Sequence, residues 1–247
     1  ERESCVSRFL RFERGDPEAA ATRFVGYWKK RTGVFGYHRA FLPMSLSNGC
    51  LSESCNALIR AGLVAVLPPD MDGKYVYFLD MTIKESRHPD CHEDRLNCLF
   101  YALQVASEEI SSQTRGITLI ILYDDRSYAP SMTIEELEDI FRSMPLHIAD
   151  LHLIPALKIK DQSNLNLLQY IDESHHQILS KLEKRGLRRK NLPSSIGGGW
   201  TSEHRVAWMK SRLAKEEEIR NRDVQGALFP NSDETTGAPL PPADRKR

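Results

Sequence analysis

Ile117-Thr118-Leu119-Ile120-Ile121-Leu122 is an almost unbroken apolar, largely β-branched run entered through Gly116, and a weaker copy, Leu151-His152-Leu153-Ile154, follows downstream. A strand wet on one face alternates apolar with polar residues. A run apolar on both parities belongs to a strand covered on both faces, the habit of parallel sheets. Between the runs, Thr133 and Glu136 stand at capping-box spacing, and Ile134, Leu137, Ile140, Phe141 and Met144 recur on one helical face. Strand, helix and strand make a right-handed βαβ unit, so the chain reads as α/β.

Upstream, Asp16-Pro17-Glu18 is a helix start, with Asp as N-cap, Pro at the first helical position and an acid in the first turn. The stripe Ala20, Ala21, Phe24, Val25 and Trp28 carries that helix to Arg31, and Val6, Phe9 and Leu10 mark an earlier helix joined to it through Gly15. A short helix over Ser54 to Arg60 ends at Gly62, a natural left-handed cap. Leu63 to Leu67 and Tyr75 to Asp80 read as a hairpin around the turn-rich Pro68-Pro69-Asp70-Met71-Asp72-Gly73. Leu96, Leu99, Phe100, Leu103, Ala106 and Ile110 place one helix on His92 to Gln113.

After the second run, Asn164 to Leu182 reads as helical, and Leu192-Pro193 with Gly197-Gly198-Gly199 breaks the chain. Ser202 to Asn221 then resumes as a highly charged helix. From Gly226 onward the polar, Pro-containing composition cannot offset the entropy of ordering, so a disordered tail is expected. The organisation read from these signals is a helical region over 1–45, a main domain over 46–200, a charged helix over 201–225 and a tail over 226–247. Because position 1 is Glu, a fragment or processed form with a shortened first helix is expected.

The 247 residues suffice for one large or two small domains, and 40% hydrophobic content builds a proper core. Thirty-four basic residues balance 34 acidic ones, so overall charge gives no argument for nucleic acid, and an anionic partner would need a local patch. The five cysteines, Cys5, Cys50, Cys55, Cys91 and Cys98, are odd in number and form no Cys-x-x-Cys pair, which argues against a disulfide framework or structural zinc and for a reducing compartment. No run reaches the ~18 apolar residues of a membrane span, and no charged-then-apolar leader is present.

Asp124 and Asp125 close the central strand, where open α/β sheets place ligands and catalytic groups; a small hydrolase or phosphatase is one reading. The strand-end phosphatase pattern wants a second acid two positions on, and Arg126 stands there, so an Asp-stabilised turn is the plainer account. His88, Cys91, His92 and Cys98 match a metal cluster in residue type, but Pro89 starts a helix inside the set and splits its geometry. His175 and His176 fit a solvated polar stretch. Gly197-Gly198-Gly199 lacks the strand, helix and Lys-Ser/Thr pair of a phosphate loop, which leaves a tight backbone crossing. No serine occupies a Gly-x-Ser-x-Gly turn.

Two features lack a purely structural account. Leu165 to Ile171 is too apolar for a solvated helix surface, and Lys181, Lys184, Arg185, Arg188, Arg189 and Lys190 concentrate positive charge just beyond it. A greasy segment beside a basic patch suits an anionic membrane surface. A core helix with a solvated basic end that complements its dipole is the alternative.

In order and spacing, several segments resemble the CRAL-TRIO family of lipid-binding and lipid-transfer proteins over residues 6 to 200. Arg8-Phe9-Leu10-Arg11 with Asp16, the Ala19 to Arg31 helix and Trp28 looks like the end of the family's helical N-terminal region. Asp72-Gly73-Lys74-Tyr75-Val76-Tyr77 is similar to its "Asp-Gly-Arg-Pro-Val" hairpin, and Gly116 to Ile121 to its central strand. Met144-Pro145 with Leu151 to Pro155 resembles "Tyr-Pro-Glu-Arg…Ile-Asn-Ala-Pro", and Leu192 to Gly198 the "Leu-Pro-x-x-x-Gly-Gly" ending.

The resemblance implies a non-enzymatic carrier without metal or cofactor: a mixed, largely parallel sheet flooring an apolar cavity, flanked by helices, with a gate helix that admits a lipid at the membrane. Leu165 to Ile171 falls at the gate position. The implied lipid contacts are Phe78, Ile117, Leu119, Ile121, Leu165, Leu168, Tyr170 and Ile171, with either parity of the central strand open as the lining face. Headgroup or membrane contacts fall on Arg14, Lys181, Arg188 and Arg189. Leu146 stands where the family has an acid, Glu13 and Arg14 where it has paired basic residues, and Leu122 where it has a strand-end Asp, so only part of a phosphoinositide site survives. The implied setting is cytoplasmic with transient peripheral membrane association; a protein partner through the 202–221 helix is the competing use of the fold.

Overall fold

The computed structural model describes residues 5–47, 49–84, 92–123, 133–155, 167–169 and 174–228. Its elements are α1 (Cys5–Phe12), α2 (Pro17–Phe35), α3 (Tyr37–Ala40), α4 (Glu53–Ala61), β1 (Val64–Leu67), β2 (Tyr75–Asp80), α5 (His92–Ala106), α6 (Ile110–Thr114), β3 (Ile117–Tyr123), α7 (Ile134–Ser143), β4 (Ile148–Pro155), β5 (Leu167–Gln169), α8 (His175–Lys184) and α9 (Ser202–Leu228). Single 3-10 turns cover Arg189–Asn191 and Ser194–Ile196.

The described strands form one sheet in sequential order β1-β2-β3-β4-β5, with β1 antiparallel to β2 and every later pair parallel. The chain is therefore a mixed, largely parallel α/β fold, with the parallel pairing that the two apolar runs imply. Sequential order with right-handed crossovers puts the connecting helices on one face. There Leu79, Tyr77, Ile117, Leu119, Ile121, Leu151 and Leu153 share a core with Leu99, Phe100 and Leu103 of α5 and Leu137 and Ile140 of α7. The other parity, with Val76, Phe78, Ile120, Leu122 and Ile154, packs under Ile178, Leu179 and Leu182 of α8 and under Leu187, Leu192, Ile196 and Trp200. Each such side chain contributes ~1.5–3 kcal/mol on burial.

Gly116 sets where β3 begins. Its φ of 85° is left-handed, and an added Cβ would stand 3.0 Å from the His147 carbonyl oxygen, the acceptor for Ile117 N–H at 2.8 Å. The capping box Thr133–Glu136 forms at α7 as its spacing predicts.

Local readings fail where tertiary contacts choose the face or break the period. The helix expected over His92 to Gln113 is two, α5 and α6, interrupted at Ser107–Glu109, where Gln113 Nε2 donates to Ser107 O at 2.7 Å. In α2 the buried line is Ala20, Tyr27, Arg31 and Phe35, while Ala21 and Val25 are exposed and Phe24 and Trp28 half-buried. Arg31 is held in a core position by two hydrogen bonds from its terminal nitrogens, to Tyr27 Oη at 2.9 Å and to Leu42 O at 2.7 Å. Phe9, Tyr27 and Phe35 join the α5 core, so the N-terminal helices share one interior with the sheet.

The charged helix α9 is longer than expected, reaching Leu228, and is held to the body by a buried ionic cluster. Arg212 donates to Glu108 through both terminal nitrogens, at 2.7 and 2.9 Å, and through Nε to Glu216 at 2.8 Å. Glu216 also accepts from Tyr101 Oη at 2.8 Å and from Leu46 N–H at 2.7 Å. Burial opposes the Arg212 charge, yet the hydrogen bond and charge of Glu108, with Glu216, raise its pKa above the ordinary arginine value. Arg212→Met takes the main counter-charge from Glu108 and Glu216 and leaves half-exposed Lys215, 3.3 Å from Glu108, to compensate. The expected loss is about 3–5 kcal/mol of unfolding free energy, read from urea denaturation, with Arg212→Met/Glu216→Leu recovering part of it.

Candidate functional site

The proposed lipid-lining residues divide between the two faces of the sheet. Register pairs Tyr77 with Leu119 and Leu79 with Ile121, while Phe78 pairs with Ile120. Ile117, Leu119 and Ile121 therefore belong to the α5–α7 core and Phe78 to the α8 core, and all four are buried. Phe78 cannot line the same chamber as the other three, because strand side chains alternate between faces.

The gate reading of Leu165 to Ile171 needs correction as well. Leu167–Gln169 is strand β5, paired in parallel with β4 so that Leu167 faces Leu151 and Leu168 faces His152 in register. An exposed flank of β4 offers unpaired backbone groups, and pairing with them favours the extended form over a local helical tendency. The helix starts only at the Ser174 cap, whose side chain accepts from Gln177 N–H. Leu165, Tyr170 and Ile171 lie outside the described residues.

The basic candidates occupy two places. Arg188 and Arg189, with Lys190, Glu183, Leu187 and Met71, border a surface cleft of about 370 Å³ beside the β1–β2 turn. That turn is tied to the basic segment by Met71 N–H donating to Gly186 O at 3.0 Å. Lys181 is exposed on α8, one turn before Arg185, which sits 4.0 Å from Asp150. Lys74 is held by Asp150 at 2.9 Å, which raises its pKa. Arg14 stands apart at the α1–α2 turn with φ 55°, near His147, whose pKa falls through desolvation and then the charges of Arg23 and Arg14.

A second cleft of about 540 Å³ opens between α2, α5 and α7, lined by Lys29, Lys30, Arg39, Glu93, Glu136 and Asn97 among others. Asn97 is buried, and its side-chain oxygen has no hydrogen-bond partner among the described residues. Sequence periodicity hides such a cleft, because its walls come from three helices far apart in the chain.

The remaining candidates scatter. His92 pairs with Glu136 at 3.0 Å, whereas Cys98 is fully buried beside Cys55, its thiol pKa pushed well up by burial; His88 and Cys91 lie outside the described residues, as do Asp124 and Asp125. His176 is exposed. Gly197 to Gly199 form a tight crossing: Trp200 N–H donates to Leu192 O at 2.8 Å, and a Cβ on Gly198 would meet that oxygen at 2.1 Å. Among the described residues, no helix is long and apolar enough to cross a membrane.

His152, read only as part of an apolar run, is fully buried at the centre of β4, and burial depresses its pKa to about 4 from the ordinary 6.5. Between those values the unfolded chain binds a proton that the folded chain refuses. Stability is therefore complete above pH 6.5 and declines as pH falls toward 4, by up to about 3 kcal/mol. In His152→Asn, which does not titrate, that decline should flatten; denaturation midpoints across the interval measure it, and an unchanged slope would count against a buried neutral ring.

Compared with family models the chain gives no match, and comparison with curated proteins gives none either.

Proposed function

We propose that this chain binds one hydrophobic lipid and exchanges it at membranes, as its resemblance to CRAL-TRIO proteins implies. The observation that carries the reading is the sequential mixed sheet, on which the resembling segments fall in order. Asp72-Gly73-Lys74 forms the β1–β2 turn, Gly116 opens β3, Met144-Pro145 ends α7, Leu151 to Pro155 lie in β4, and Leu192 to Gly198 make the tight crossing.

The lipid lies against one face of the sheet, that of Ile117, Leu119, Ile121, Leu151 and Leu153 or that of Phe78; both are covered by packed side chains, so a ligand enters by displacing one cover, α5 with α7 or α8 with the 3-10 turns and Trp200. An acyl chain there gains roughly 0.8 kcal/mol per buried methylene, so few polar contacts are needed. Leu165, Leu168, Tyr170 and Ile171 are further lipid contacts that the resemblance implies. Lys181, Arg188 and Arg189 meet anionic headgroups, each contributing on the order of 1 kcal/mol near the surface.

A second reading, a protein-interaction module on a filled lipid-binding fold, is favoured by the close packing of both sheet faces among the described residues. Its docking element would be α9, whose outward side stays exposed at Val206 and Ile219 while Met209 and Arg212 are buried.

Solvent extraction of the purified protein followed by mass spectrometry should release one lipid class in near-stoichiometric amount. An empty protein that takes up no phospholipid, sterol or tocopherol-like ligand removes the lipid reading, and a specific protein partner then selects the second. Arg188→Glu/Arg189→Glu should weaken association with phosphatidylserine vesicles roughly tenfold at low salt and much less at high salt, since exposed charges are screened; equal association at both salts takes these residues out of the membrane contact.

A further inference from the structure

The rotation of α2 that buries Tyr27 and Arg31 turns the opposite flank of the N-terminal helices outward. Gly36, at φ 73°, ends α2 and redirects the chain into α3, so that Trp28 and the residues after Gly36 form a continuous aromatic ridge. Phe41 stacks on Trp28 at 5.2 Å with the rings 15° apart, and Tyr37 meets Phe41 edge-on at 5.5 Å. The outer side chains are open to solvent: Tyr37 71%, Phe41 58%, Val25 51% and Leu42 44% exposed. From below, Arg31 fixes the ridge, lying 5.0 Å from the Trp28 ring centre and holding the Leu42 carbonyl. A largely apolar groove of about 520 Å³, bordered by Phe24, Val25, Trp28, Lys29, Thr32 and Gly33, continues it along α2.

The chain segment that builds this ridge carries charge of one sign. From Ala19 to Ser52 the chain contains no carboxylate, against five basic residues, Arg23, Lys29, Lys30, Arg31 and Arg39. Arg31 is buried, Arg23 pairs with Glu13 and Lys30 with Asp139, which leaves Lys29 and Arg39 beside the aromatics, with His38 next to Tyr37. The nearest acids come from other elements: Asp139 pairs with Lys30 at 3.3 Å, and Glu93 and Glu136 line the neighbouring cleft. Exposed Tyr, Phe and Leu with a Trp behind them, rimmed by Lys and Arg, suit the headgroup layer of an anionic bilayer. Aromatic rings settle at that depth, and cations remain among the phosphates.

We infer that the Tyr37–Phe41–Leu42 ridge, with Val25, Trp28 and Lys29, is a second surface, apart from Lys181, Arg188 and Arg189, by which this protein docks on an anionic lipid bilayer. The inference deepens the lipid-exchange reading by adding a contact face, and it rests on that reading only for the purpose of docking. Docking there needs no change in the sheet or its cores, because the ridge side chains that enter the headgroup layer are already outside.

The test is co-sedimentation of the full chain with phosphatidylcholine vesicles made with and without phosphatidylserine, comparing wild type, Phe41→Ser/Leu42→Ser and Lys29→Glu. Lipid extracted from each preparation is measured in parallel. Wild type should bind the phosphatidylserine vesicles, the double variant about tenfold less, and Lys29→Glu should lose mainly the salt-sensitive part. All three should share one circular-dichroism spectrum and one lipid content. Vesicle binding that depends on the ridge in a protein carrying no lipid supports the docking surface and sinks lipid exchange. A double variant that is folded and binds vesicles like wild type overturns the inference and leaves lipid carriage standing. It is overturned equally if wild type binds neither vesicle, including the case where the ridge instead joins two copies of the chain.

Discussion

Everything in this molecule is arranged around a strand that cannot touch water on either side. β3 is apolar at both parities, so each of its faces needs a cover, and the two covers come from different parts of the chain. The crossover helices α5 and α7 arrive on one face because sequential parallel strands with right-handed connections leave no other place. The other face waits for the C-terminal third, where α8, the 3-10 turns and Trp200 close it. The amino-terminal helices then complete the crossover layer, packing Phe9, Tyr27 and Phe35 against α5.

The last helix shows how a charged sequence is built into such a body. α9 has too few apolar residues to be held by area alone; Met209 enters the core, and Arg212 supplies the specific anchor. A buried arginine is tolerable because two carboxylates, a tyrosine hydroxyl and a backbone N–H share the cluster and satisfy one another. The same logic places Arg31 inside α2, where hydrogen bonds and an aromatic face replace water. Because Arg31 goes inward, Val25 and the Trp28–Phe41 stack go outward. A surface rich in aromatics is thus the counterpart of a buried cation.

Several elements were legible residue by residue. The Thr133–Glu136 box, the Asp16-Pro17 start, the Gly62 stop, the hairpin around Gly73 and the tight crossing at Gly197 to Gly199 are local devices whose chemistry lies within a few residues. The candidate site was less legible. Leu167–Gln169 has leucines enough for a helix face, but an unsatisfied flank of β4 made it a strand. Phe78 was grouped with Ile117, Leu119 and Ile121, and only the inter-strand register separates them. The cleft around Asn97 and the ridge at Tyr37 join side chains from separate elements, for which no single stretch carries a signal.

By itself the sequence determined that two apolar strands and the helix between them form a covered, parallel α/β unit, because hydrophobic periodicity and caps act over one or two turns of chain. It also determined that charge is locally uneven, with carboxylates absent from Ala19 to Ser52 and basic residues gathered after Lys181. Only the tertiary structure decided which parity of β3 faces which helices, which side of α2 is wet, and that α9 is bolted to the body rather than held free. Those choices are set by pairing and packing between residues distant in sequence, where a single inward arginine or one open strand edge outweighs the local preference of the residues around it.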